Sequence, residues 1–228
     1  MSESKRIRKN FFFKETLSLK PWFKVVFAFV FNVIVLIVFL LCTSLRFEIQ
    51  DNYYYSLFIN DGYYDFGFMS YFFCLMCGLL QKIIYPINAF TILHLLFSLL
   101  SFSIITLVFI DKFKYLYGTL FSVFILSFFA VNHYSNISFT RDPALFVVAG
   151  MLCVIHFYKK SVTLTVFGGF IVLVSSFYRF EVFLSGLGII TFYIIGKSFT
   201  EYFSQNKKTL RDFINILFAN CNSKLKQI

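Results

Sequence analysis

Several motifs that mark common chemistries are missing from this 228-residue chain, and each absence narrows what it can do. Cys74 and Cys77 form a C-x-x-C, but no second pair follows and the surrounding stretch is Phe, Leu and Met. A zinc or dithiol site needs partners that the sequence does not supply, so packing is the expected role of these thiols and of Cys42 and Cys153. The three histidines, His94, His133 and His156, stand alone, without H-E-x-x-H or similar metal spacing. Structural roles are expected for them, although His133 lies in a loop where a base could serve. No D-x-D occurs, so a metal-bound nucleotide-sugar donor is not indicated. No metal site and no cofactor are expected. No A-x-A-like cleavage site follows the first apolar run at about 25–45. That run also exceeds the usual 7–15 apolar residues of a signal peptide, so a retained helix is expected. No internal repeat or low-complexity linker is present.

Acidic charge is also scarce: 11 Asp and Glu against 21 Lys and Arg, a net charge of +10. In a soluble chain this would suggest nucleic acid. Here 59% of residues are hydrophobic and the mean hydropathy is +0.77, more apolar than a soluble domain can bury. Basic residues retained on the cytoplasmic side of a membrane explain the charge. The expected partners are therefore membrane lipids, and no nucleic acid.

Apolar runs fall at about 25–45, 66–84, 88–110, 115–131, 144–158, 162–178 and 182–196. A membrane span needs about 20 residues, and several runs are shorter. Charge decides the count. If all seven runs crossed, Lys112/Lys114, Lys159/Lys160 and the basic tail would lie outside, against the positive-inside tendency. If 66–84 is instead re-entrant or interfacial, seventeen Lys and Arg lie inside and four outside. The sequence thus predicts an all-α polytopic membrane helix bundle of about six transmembrane helices plus one re-entrant helix. Both termini are cytoplasmic, and the expected location is a bacterial inner membrane. Residues 1–24 form a basic N-terminal segment, 25–196 the membrane domain, and 197–228 a basic tail. In the tail Phe203, Leu210, Phe213, Ile214 and Leu217 recur at near-helical spacing. That pattern suits either an amphipathic helix on an anionic leaflet or a solvated tail.

The outer loops at 46–87, 132–143 and 179–181 gather the polar residues. Arg46 and Asp51 precede Tyr53, Tyr54 and Tyr55; they form either an interfacial aromatic belt or a sugar-stacking surface. Asp61-Gly62 is a turn signal, and Asp61 and Asp65 flank Tyr63 and Tyr64 at the mouth of an apolar segment. There they serve as turn and cap residues, or as partly desolvated carboxylates for proton transfer. Asp142-Pro143 reads as N-cap and first helical residue, which leaves Arg141 as a clamp for phosphate. Arg179 and Glu181 sit in a very short turn between apolar runs, as a local ion pair or paired across the bundle to Arg141 or Asp142. Asn136-Ile137-Ser138 is a sequon, meaningful only in a glycosylating secretory pathway.

Two resemblances attach to these residues. Arg46, Asp51 and Tyr53 to Phe58, followed by Asp65-Phe66-Gly67-Phe68 and by Arg141 at a helix start, resemble exopolysaccharide polymerases of the EpsG/Wzy type. Arg179 stands near the place where that family often has a His. Asp61, Arg141-Asp142-Pro143-Ala144-Leu145 and Tyr178-Arg179-Phe180-Glu181 are similar to multi-span GT-C type glycosyltransferases. Both families are usually longer, so a short or truncated member is implied. Either resemblance implies transfer from a polyprenyl-(di)phosphate sugar donor to a glycan acceptor. Asp61, Asp65, Asp51 or Glu181 would supply the catalytic carboxylate. Arg141, Arg179, Arg46, Tyr53 and Tyr64 would bind substrate. The rival reading is a non-enzymatic subunit that transports lipid or polysaccharide.

Overall fold

The computed structural model describes residues 21–47, 50–65, 69–113 and 115–205. Among these it is all-α, with eight helices and one pair of two-residue strands. Helix α1 spans Pro21–Cys42, α2 Gln50–Asn60, α3 Tyr71–Ile84, α4 Ala89–Phe113, α5 Tyr115–Tyr134, α6 Arg141–Phe157, α7 Val162–Tyr178 and α8 Phe180–Gln205. The chain divides into two compact units, one ending at Gly186 and the other beginning at Leu187. The predicted boundary at 196/197 falls inside α8, which runs without a break through Lys197. The predicted amphipathic pattern beyond Gln205, and the basic segment before Pro21, lie outside the described residues.

Among the described residues four helices are long and apolar enough to cross a bilayer: α1, α4, α5 and α8 as far as Glu201. The exposed surface says what surrounds them. On α1 only Ala28 and Asn32 are buried, while Val26, Val30, Ile34, Ile37 and Leu41 face outward. Such a helix would be insoluble in water, and it suits lipid. Helices α6 and α7 have 17 residues each, about 26 Å of helix against about 30 Å of hydrocarbon. The 14-residue α3 is shorter still.

Helix α4 is the hub of the first unit, packing against α1, α3, α5 and α6, with buried side chains along most of its length. Helices α6 and α7 meet through glycine. A Cβ added at Gly168 would lie 2.9 Å from both the Gly150 carbonyl oxygen and Cys153 Cβ, so the two backbones touch there. Small residues that admit close backbone approach are the usual means of helix association in lipid. Cys74, Cys77 and Cys153 are buried free thiols in packed apolar surroundings, and Cys42 is exposed.

The strands were not expected from sequence. Arg46–Phe47 (β1) pairs in parallel with Asn136–Ile137 (β2), and the Arg46 N–H donates to the Ser135 carbonyl at 2.7 Å. This bridge ties the segment after α1 to the loop before α6.

Candidate functional site

One end of the first unit collects the C-terminal ends of α1, α5 and α7 and the N-terminal ends of α4 and α6. Its centre is Asp142, whose side chain is fully buried. Asp142 Oδ2 is 2.8 Å from His94 Nδ1 and accepts the Ser138 N–H at 3.1 Å; Oδ1 is 2.8 Å from His133 Nδ1. A carboxylate only accepts, so each imidazole carries its hydrogen on Nδ1. The Tyr178 hydroxyl lies against the His94 ring, 2.6 Å from Nδ1 and also in contact with Nε2. Phe73 and Phe90 close the cluster, with Phe73 4.0 Å from the Tyr178 ring and Phe90 4.4 Å from the His94 ring, centroid to centroid.

The N-cap reading of Asp142 is thereby corrected. Helix α6 starts at Arg141 with Thr140 as its cap residue, and the Asp142 carboxylate turns inward to the two histidines. Paired donors on a buried carboxylate offset the cost of removing it from water better than an exposed helix end would.

Arg141 Nη2 donates to the Asn132 carbonyl at 2.8 Å and the Asn136 carbonyl at 2.9 Å, binding the end of α5 and β2 to the start of α6. Arg179 is the single extended residue between α7 and α8. Its Nε is 3.4 Å from Glu181 Oε2, which makes the local pair one of the two arrangements expected. The Arg179 guanidinium also lies 5.6 Å from the centre of the Phe139 ring, and the same ring meets Tyr55 of α2 at 5.3 Å, edge-on. Phe139 therefore joins the aromatic helix α2 to the arginine turn.

Phe47 of β1, Tyr53, Tyr54 and Phe58 of α2, and Tyr63 beyond it form a chain of neighbouring rings, with centroids 5.7, 6.0, 6.5 and 6.2 Å apart. Tyr53, Tyr54, Phe58 and Tyr63 are exposed. Asp61 follows in the turn that Gly62 makes at φ +89°, and both Asp61 and Asp65 are exposed rather than drawn into an apolar segment. Tyr64 is half-buried, its ring occupying the space that a side chain at Gly78 would need. Arg46 is exposed, with Nε 3.3 Å from Ser44 Oγ. Asp51 lies in α2, and its side chain falls outside the described residues.

A second polar cluster sits at the opposite end, about 25 Å further along α4 from His94. Asp111 Oδ1 is 2.6 Å from Lys24 Nζ; Oδ2 is 2.9 Å from His156 Nε2 and 3.4 Å from Lys160 Nζ. Among the described residues no group of three or more His, Cys, Asp and Glu is placed to hold a metal ion.

No family model, curated protein or solved structure matches this chain.

Proposed function

We propose that this chain is an integral membrane glycosyltransferase or polysaccharide polymerase acting on polyprenyl-linked sugars, in the synthesis of surface polysaccharide or glycolipid. The observation that carries the reading is Phe139, which is touched both by the half-buried Tyr55 of α2, the helix that also bears the exposed Tyr53, Tyr54 and Phe58, and by the Arg179 guanidinium. Tyrosine faces stack on sugar rings and their hydroxyls hydrogen-bond sugar hydroxyls. An arginine beside them binds the phosphate of a lipid-linked donor.

In the proposed reaction an exposed carboxylate, Asp61 or its neighbour Asp65, takes the proton of the acceptor hydroxyl as that oxygen bonds to the donor sugar. The bond between sugar and phosphate breaks, and the phosphate leaves with the electron pair, held by Arg179 and Arg141. In the same reading α1, α4, α5, α6, α7 and α8 make six crossings of a bacterial inner membrane, while α2 and α3 form the outer, partly inserted segment. The Asp111 cluster then faces the cytoplasm with Lys112 and both termini.

The test is a glycan profile of cells carrying Asp61→Ala or Arg179→Ala. Loss of polymer with normal membrane levels of the protein supports the reading; polymer retained in the double variant overturns it.

One observation favours a transport subunit instead. Asn32 and Thr106 hydrogen-bond at 3.0 Å between α1 and α4, and Ser98 is buried on α4, so polar groups also occur well inside the bundle. Transporters place polar sites near the bilayer midplane. Flux of lipid-linked sugar across vesicles, without formation of a new glycosidic bond, would establish that alternative.

A further inference from the structure

The buried cluster around Asp142 takes no part in the reaction above, yet it is the most elaborate polar arrangement among the described residues. Its charge is unbalanced. With both imidazoles neutral, Asp142 leaves a net charge of −1 among the rings of Phe73, Phe90 and Phe102. Hydrogen bonds ease that charge but do not cancel it, and a buried net charge is costly in a medium of low polarisability. Ionisable groups at such depth in membrane proteins pair or carry protons.

The two histidines differ in what remains open. On His94, Nδ1 donates to Asp142 and the Tyr178 hydroxyl lies against both ring nitrogens, so neither is open. On His133, Nδ1 donates to Asp142, and among the described residues no hydrogen-bond partner is found for Nε2. The His133 side chain is only 5% exposed. An imidazole whose Nδ1–H is held by a carboxylate is oriented to receive a proton at Nε2, and the carboxylate stabilises the imidazolium that results.

We propose that the His94–Asp142–His133 cluster is a proton-binding site, with the bound proton on Nε2 of His133. Proton uptake there makes the cluster neutral. The other ionisable groups near it come from each packed element. Helix α3 contributes Cys74 and Cys77, which share a packed cluster with Tyr178. Helix α5 contributes Tyr134, beside the Phe102 ring. Helix α6 contributes Arg141, whose Nη2 holds the carbonyls of Asn132 and Asn136 on either side of His133 in the chain. Asp142 adjoins Arg141 in sequence and Tyr178 adjoins Arg179, so the proton sits at the anchor of both arginines.

The site concerns proton binding alone, and its test does not depend on the glycosyl-transfer reading. The full-length protein, labelled with ¹⁵N-histidine and reconstituted in lipid nanodiscs, is titrated between about pH 5 and about pH 8 by NMR of the ring nitrogens. The resonances of His133 are assigned by their loss in His133→Gln. The proposal expects the His133 ring to pass reversibly between singly and doubly protonated forms. It also expects Asp142→Asn to reduce the doubly protonated fraction at least tenfold at a given pH, and Tyr178→Phe to leave it in place. A His133 ring that stays singly protonated throughout overturns the proposal, as does full protonation retained in a folded Asp142→Asn variant. Should Asp142→Asn fail to fold, the wild-type titration decides.

Discussion

Lys24 Nζ lies 2.6 Å from Asp111 Oδ1, joining the first turn of α1 to the last turn of α4. His156 and Lys160 reach the same carboxylate from the end of α6 and the loop beyond it. These four residues stand at one end of the first unit, and Asp142 with its histidines at the other. The partners of Asp111 differ in exposure, and this sets how much each contributes. Lys24 and Asp111 are 28% and 21% exposed, and Lys160 is 54% exposed. Exposed pairs contribute about 0–1 kcal/mol, whereas breaking a buried pair costs about 3–5 kcal/mol. Asp111→Asn should therefore destabilise the protein by roughly 1–2 kcal/mol, and Lys160→Ala by less than about 0.5 kcal/mol. Reversible unfolding in mixed micelles measures both; equal effects would refute the ranking.

The contact between α6 and α7 should be the least tolerant of added volume. At Gly168 a new Cβ meets backbone, which cannot turn aside, while at Gly169 nothing lies within 4 Å. Gly168→Ala should cost about 1–3 kcal/mol through overpacking. Gly169→Ala should be neutral, or stabilising by up to about 1 kcal/mol through helix propensity. The same unfolding assay compares the two, and a neutral Gly168→Ala would show that these helices can separate without loss.

Asn32 looks more important than it should prove. Its Nδ2 donates to Thr106 Oγ1 and to its own helix at the Ala28 carbonyl, but its buried Oδ1 has no partner. Interhelical hydrogen bonds in membranes average about 0.6 kcal/mol, and Asn32→Leu also removes the unsatisfied oxygen. A double-mutant cycle with Thr106→Val should give a coupling near 0.6 kcal/mol and below about 2 kcal/mol. A larger value would indicate a bond to something further in that place.

Phe139 should matter for activity without touching the reacting atoms. Its half-buried ring touches both Tyr55 and Arg179, and a cation over a ring contributes at least about 0.5–1 kcal/mol. On the proposed function, Phe139→Ala should lower polymer output several-fold at unchanged protein level, and Phe139→Tyr should restore it. Equal output from both variants would separate Phe139 from the site.

Much of this arrangement was legible in the sequence. Positive-inside parity predicts Lys24, Lys112 and Lys160 on one side, and Lys24 and Lys160 do converge on Asp111. The Asp61-Gly62 turn and the Arg179–Glu181 pair follow from local chemistry. The Asp142 cluster was not legible for a physical reason. Its members come from α4, α5, α6 and α7, and His94 is 48 positions from Asp142 and 84 from Tyr178. Motif reading detects ligands carried on one turn or one loop. It cannot detect ligands that only helix packing brings together. Asp142 was also masked by its own neighbour, because Asp before Pro is what a helix start looks like whether the carboxylate caps the helix or turns inward.

The small β1–β2 bridge bears on how the chain is made. Arg46 emerges from the ribosome early, yet its partner strand at Asn136–Ile137 follows only after α4 and α5 have been synthesised. Until then the segment from Arg46 through α2 cannot take its final seat, because Phe139, which Tyr55 leans on, does not yet exist. The seat of α2 against Phe139 is thus completed late in biosynthesis, and a chain arrested before Ile137 would carry the rings of α2 without the contacts that seat them.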